Sequence, residues 1–323
     1  MKPQNLSRFS FCTAIVLLII LLVTPLLTGC QNSEGSETSE PLKMGALSMM
    51  TMLPLFVAQQ EGLFEKQGVK VEIVPFASVV ERDTALRAGK LDCIVDDVFG
   101  GILLNQEQPI IQVTAVSSVQ SPMFFVIASG QSNIRKASDL KNVEIGISLK
   151  TIIEYSVETM LVANGLKKDE IKYASVPSMP LRLEMMSQNK INAAAFSRPL
   201  ADAAVLAGNV VICNDAQKSL LTSSIMFTAE TVKNRPNDIK KFLKAWDQAT
   251  KNISNDPPKY QSLLIETAKI SEAVAKTISV PKFDSLRALK QEDLQPKTDW
   301  LLGKEIIKRE VKLADIATAR FLP

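Results

Sequence analysis

The sequence predicts an α/β protein made of two successive sets of alternating strands and helices, followed by a helical tail. Three observations carry that reading. Short apolar runs rich in β-branched residues recur along the chain, separated by helical stretches of about ten residues, which is the pattern of βαβ units and a parallel sheet. The pattern runs once over residues 42–116 and again over residues 143–213. Beyond Pro236 the character changes to long lysine-rich helical stretches.

Residues 42–48 read as a strand and 53–61 as a short helix, with Gly62 in the position where a left-handed residue ends a helix. Val69, Val71 and Ile73 alternate with polar residues, as in a half-buried strand. Ser78 lies three residues before Glu81, the capping-box spacing, and opens a helix that ends at Gly89. Residues 91–95 are apolar and β-rich, 98–106 helical, and 109–116 a strand.

In the second set Ser138 caps a short turn and residues 143–147 form a strand. Residues 151–164 form an amphipathic helix with Ile152, Tyr155, Thr159 and Val162 near one stripe and Gly165 as terminator. A strand (171–176), a helix (181–189), a strand (191–196), a helix (200–207) and a strand (210–213) complete it. Residues 124–129 and 224–229 are extended and apolar, as segments crossing between two lobes must be. Pro236 in a first helical turn, with Asp238 just behind, starts the tail.

The N-terminus is read as an export signal. Lys2 and Arg8 form a charged region, residues 14–23 an unbroken apolar run, and Leu27, Thr28, Gly29 and Cys30 follow. The run is shorter than the roughly 20 apolar residues of a membrane span. The four-residue tail resembles the bacterial lipobox, and that resemblance makes Cys30 a lipid-bearing (palmitate-type) first residue of the mature chain. Residues 1–29 are then the signal peptide. Residues 30–41, polar and serine-rich, are a flexible tether that cannot bury enough surface to fold. The expected location is extracytoplasmic, lipid-anchored to the bacterial cell membrane.

Composition excludes several kinds of chemistry. The chain has no histidine, which removes Ser-His-Asp and Cys-His catalysis, His-ligated zinc and the imidazole proton shuttle. Of its 37 basic residues Lys2 and Arg8 leave with the signal, so about 35 face 34 acidic ones and no nucleic-acid partner is expected. Cys93 and Cys213 sit in apolar strand-like runs and read as buried free thiols, with a disulfide as the alternative. No cofactor, metal or catalytic residue is expected.

Four motifs, in order, resemble the periplasmic substrate-binding proteins of the nitrate/sulfonate/taurine (NitT/TauT) group. They are Gly-Leu-Phe-Glu-Lys-Gln-Gly-Val (62–69), Ala-Leu-Arg-Ala-Gly-Lys-Leu-Asp (85–92), Ile-Arg-Lys-Ala-Ser-Asp-Leu-Lys (134–141) and Arg-Leu-Glu-Met-Met-Ser-Gln-Asn-Lys-Ile-Asn-Ala-Ala (182–194). The resemblance spans residues 42–323. It implies the type II periplasmic-binding fold: two α/β lobes, two crossover strands and a ligand cleft. Residues 42–126 plus 226–323 would form lobe 1, and 127–225 lobe 2. It also implies a binding function, in which a solute is delivered to the permease and ATPase of an ABC importer. The chain departs from the family pattern at Ser197-Arg198-Pro199, where an acidic residue before proline is common, and at the methionines of positions 49–52.

In such sheets ligands sit beyond the carboxyl ends of strands, where helix starts offer free N–H groups. The candidate ligand residues are therefore Ser48, Met49 and Thr51, Asp96 and Asp97, Ser117 and Ser118, Ser148 and Thr151, and Ser197 and Arg198. Each has a structural alternative. Ser148, Thr151 and either aspartate can simply cap a helix, and Arg198 can pair with Asp202 one turn on. Met50 and Met52 read as cleft-lining or core residues, Tyr155 as core, and Arg82 and Arg182 as surface or lobe-packing residues. The aspartates suit a cationic or amine-bearing solute and Arg198 an anion; a zwitterionic or heterocyclic one suits both. The alternative to transport is an enzyme on the same scaffold, a carboxylate-based lyase of the menaquinone-precursor type using Asp96 and Asp97. A sensory module is a third reading.

Overall fold

The structure, a computed structural model, describes residues 40–216 and 223–323. The expected signal peptide, Cys30 and nearly all of the tether lie outside the described residues.

In chain order the first set comprises β1 (Leu42–Ala46), α1 (Leu53–Gln60), α2 (Leu63–Lys66), β2 (Val71–Pro75), α3 (Val79–Arg87), β3 (Cys93–Asp97), α4 (Val98–Leu104) and β4 (Ile111–Ser117). The second comprises β5 (Phe124–Ala128), β6 (Glu144–Ile147), α5 (Ile152–Ala163), β7 (Lys172–Ser175), α6 (Met179–Ser187), β8 (Ala193–Ser197), α7 (Leu200–Leu206) and β9 (Val210–Asn214). After β10 (Ser223–Thr228) come α8 (Ala229–Asn234), α9 (Pro236–Asn255), α10 (Gln261–Thr267), α11 (Glu272–Ala275), α12 (Gln291–Gly303) and α13 (Leu313–Ile316).

Two five-stranded sheets result, ordered β2-β1-β3-β10-β4 and β7-β6-β8-β5-β9. Within each, the strands of βαβ units run parallel, as Leu42 opposite Val71 and Glu144 opposite Lys172 show. One strand in each sheet is antiparallel to both its neighbours: β10 in the first and β5 in the second. The chain passes from one sheet to the other between Ser117 and Phe124. Residues expected to be crossing segments are thus central strands, and that explains their composition. All five residues of β5 are buried, and a strand covered on both faces reads as a continuous apolar run.

Local signals place the helices. Ser78 Oγ accepts the Glu81 N–H at 3.2 Å, and Ser178 Oγ accepts the Leu181 N–H at 3.4 Å. The Glu81 carboxylate closes on the Ala77 N–H at 3.3 Å, one residue before the expected capping-box partner. The turn at residues 137–140 is held by Asp139 rather than Ser138: its carboxylate accepts from the Arg135 and Lys136 N–H groups at 3.0 and 3.1 Å. One oxygen of the Asp139 carboxylate thus accepts both N–H groups.

The tail is structural. Helix α9 repeats apolar residues at helical spacing and buries Ile239, Phe242, Leu243, Trp246 and Ile253, with Phe242 stacked on Phe64 at 5.1 Å. Helix α12 covers the flank of α5, where Trp300 meets Tyr155 edge-on at 5.9 Å. That cover changes the expected stripe of α5. Residues 154–158 are all buried, while Val162 is 41% exposed. No helix of the described residues is long and apolar enough to cross a membrane.

Candidate functional site

A cavity of about 390 Å³ lies where the carboxyl ends of strands from both sheets face each other. From the first lobe, Ser48, Met49 and Thr51 line it after β1, and Asp96 and Asp97 at the end of β3. From the second, Ser197 and Arg198 line it after β8. The remaining wall is largely apolar: Val79, Met123, Phe124, Ile152, Ile153 and Met179. Sequence reasoning missed these six because no single one lies on a motif. Val79 and Met179 open helices just after the capping serines, and that shared placement was the available signal.

The two aspartates are held differently. Arg82, fully buried on α3, donates through Nη1 to the Val95 carbonyl at 2.9 Å and through Nη2 to the Asp96 carboxylate. Its Nε and Nη2 also reach Asp83 Oδ1, at 2.9 and 2.7 Å. Asp96 is therefore committed inward, with its other oxygen accepting the Asp97 N–H at 2.8 Å. Asp97 caps α4 by accepting the Gly100 N–H at 3.0 Å. Burial, reinforced by repulsion from Asp96, pushes its carboxyl up to about 7 against the opposing pull of the helix N–H groups and Lys297.

Arg198 is largely matched. Its Nε lies 3.3 Å from Asp202 Oδ1, its Nη1 donates to Ser121 Oγ at 3.0 Å, and its guanidinium sits 5.5 Å from the Phe125 ring centre. Among the methionines, Met49 and Met50 face the cavity, while Met52 lies in the core.

Four candidates are placed outside the cavity wall. Ser117 Oγ donates to the Asp284 carbonyl at 2.7 Å and the Ser118 carbonyl accepts the Asp284 N–H at 2.9 Å, so both fasten the tail to β4. Ser148 Oγ donates to the Pro177 carbonyl at 3.0 Å and accepts from Arg182 Nη2 at 2.5 Å. Thr151 caps α5 by accepting the Ile153 N–H at 3.1 Å.

Arg82 and Arg182 are not surface residues: both are fully buried. Arg182 donates through Nη1 to the Ala195 carbonyl and through Nε to that of Val176, both at 2.6 Å. No carboxylate among the described residues pairs with it, and burial lowers it to about 10. Each arginine stem passes over a glycine. A Cβ on Gly45 would lie 3.1 Å from Arg82 Cγ, and one on Gly146 3.6 Å from Arg182 Cγ. Cys93 and Cys213 are buried free thiols.

Comparison with known proteins follows the same lines. The family model described as NMT1/THI5 like matches residues 50–259. A "Putative ABC transporter periplasmic binding protein" of Brachyspira hyodysenteriae is 23% identical over 270 residues, 76% of this chain and 74% of that protein. A "Putative thiamine biosynthesis protein" of Haemophilus influenzae is 28% identical over 123 residues, 38% of each chain, so the match spans well under half of that relative's length. Among solved structures, the periplasmic aliphatic sulphonate binding protein SsuA from Escherichia coli superposes with a TM-score of 0.74 at 16% identity, covering 85% of this chain and 91% of that one. The fold is that of type II periplasmic-binding proteins, with two α/β lobes.

Proposed function

Since the chain belongs to the NMT1/THI5-like family, we propose that it is the extracytoplasmic solute-binding component of an ABC importer. In this reading Cys30 carries the lipid anchor, residues 42–126 plus 226–323 form lobe 1, and 127–225 form lobe 2. The lobes close on one small molecule, and the closed form docks on the permease, whose ATPase drives release.

One observation carries the reading: a mostly apolar cavity faced by strand ends of both lobes, with few polar groups, is built to hold a small molecule. Its charge selects among solutes. Arg82 offsets Asp96 and Asp202 offsets Arg198, which leaves the Asp97 carboxyl, opposed in part by Lys297, as the group that selects. A fully anionic solute would be repelled there. A molecule with an N–H donor for Asp97 and an apolar ring for Met49, Met50 and Phe124 fits better. An aminopyrimidine satisfies that chemistry, in keeping with the thiamine-related name of the Haemophilus relative.

Thermal unfolding with and without added solute tests this. A solute at 100 times its Kd stabilises the folded state by about 2.7 kcal/mol. Thiamine and its aminopyrimidine half are expected to raise Tm, and a simple alkanesulfonate to leave it unchanged. The reverse pattern would overturn the proposed specificity.

A further inference from the structure

Helices α4 and α5 both begin at the cavity, one in each lobe, and meet behind it. There Phe99 of α4, Tyr155 of α5 and Trp300 of α12 form a three-ring cluster with centroids 5.5 to 5.9 Å apart. Lys304 follows α12 directly and lies 5.1 Å from the Trp300 ring centre. Its Nζ reaches Glu154 Oε1 and Glu158 Oε2 on α5, each at 3.0 Å. Both glutamates are only 5% exposed, and they stand one turn apart, where like charges repel. Glu158 has a second cation, Lys168 at 2.9 Å; among the described residues Glu154 has Lys304 alone.

The other oxygen of Glu154 turns back to the backbone ahead of its own helix. Oε2 accepts the Lys150 N–H at 2.7 Å. Lys150 sits at φ 60°, in the left-handed region that costs a non-glycine residue roughly 1 kcal/mol, so this turn needs outside support. The turn delivers Ile152 and Ile153 to the cavity wall.

We propose that Lys304 is a positioning residue for solute capture: through Glu154 it holds the Lys150 turn, and with it the apolar wall that Ile152 and Ile153 contribute. The C-terminal segment is thereby part of the binding apparatus without touching the solute. This rests on the solute-binding reading for its consequence, but not for its test.

Hydrogen exchange of the full chain, with no solute added, checks it. Lys304→Met keeps the contact with Trp300 and removes the charge. Amides of residues 148–153 are expected to exchange about tenfold faster, while those of β1 keep their rates. Lys304→Arg, which retains both carboxylate contacts, is expected to restore slow exchange. Glu154→Gln leaves the Lys304–Glu158 pair in place and is expected to loosen the same turn, which provides a second route should Lys304→Met fold poorly. Unchanged exchange at 148–153 in either variant, or acceleration in the arginine variant, would overturn the proposal. A loosened turn in a protein that binds no solute would instead count against the proposed function.

Discussion

Arg82 Nη1 and Arg182 Nη1 each donate to a backbone carbonyl thirteen residues further on, Val95 at 2.9 Å and Ala195 at 2.6 Å. The two lobes thus repeat one device. A capping serine, a buried arginine one turn later and a central strand return at a constant offset, and each guanidinium fastens a helix to the strand end beside the cavity. The electrostatics differ, because Arg82 meets Asp96, whereas the same offset from Arg182 falls on Phe196, which has no charge.

That difference predicts unequal costs. Arg82→Met leaves the half-buried Asp96 carboxylate without its cation and beside Asp97, a loss of about 3 kcal/mol. Arg182→Met removes an unmatched charge but orphans buried carbonyls, a loss of about 1–3 kcal/mol. Urea midpoints at neutral pH are expected to rank the arginine-82 variant as the less stable; equal midpoints would contradict the distinction.

Asp97 makes stability pH-dependent. Its folded carboxyl titrates at about 7 against an ordinary value of 3.8, so the folded state keeps a proton that the unfolded state has lost. Its stabilising contribution is therefore full below about pH 4 and is lost as pH rises through about 7. Asp96 and Lys297 act on the same carboxyl and set the size of the effect. Asp97→Asn retains the cap acceptor without the charge. Melting curves should show Asp97→Asn gaining on the unaltered chain between pH 5 and pH 8; parallel curves would refute the assignment.

Glycine seats both arginines. Adding a methyl at Gly45 places it 2.7 Å from Leu91 Cδ1, and at Gly146 2.9 Å from Ile191 Cδ1. Gly45→Ala is expected to cost about 1–3 kcal/mol and Gly146→Ala less, because the neighbours of Gly45 crowd more closely. Calorimetry on the two variants decides it.

Much of this architecture was legible in the sequence. Serine caps, alternating valines and the Pro236 start signal are local, and local signals survive folding. The site was legible only in part. Ser48, Asp97 and Arg198 line the cavity because strand ends converge on one mouth whatever the sequence between them. Ser117 and Ser148 satisfied the same rule, yet their hydroxyls bond distant carbonyls, Asp284 and Pro177, which no local pattern reveals. Arg82 and Arg182 look like exposed helical arginines until the tertiary fold covers them.

Ser117 provides a control for that distinction. Ser117→Ala breaks the bond to the Asp284 carbonyl and is expected to cost about 1 kcal/mol of stability while leaving solute affinity unaltered. An equilibrium titration with any bound solute, run beside a melting curve, separates the two effects.

Capture of one small molecule between the lobes is most directly tested by native mass spectrometry of the freshly purified full chain. The expected spectrum shows a single added small mass per polypeptide, present under gentle ionisation and released on unfolding. A bare polypeptide mass that stays bare after incubation with thiamine, its aminopyrimidine half and an alkanesulfonate would contradict the account.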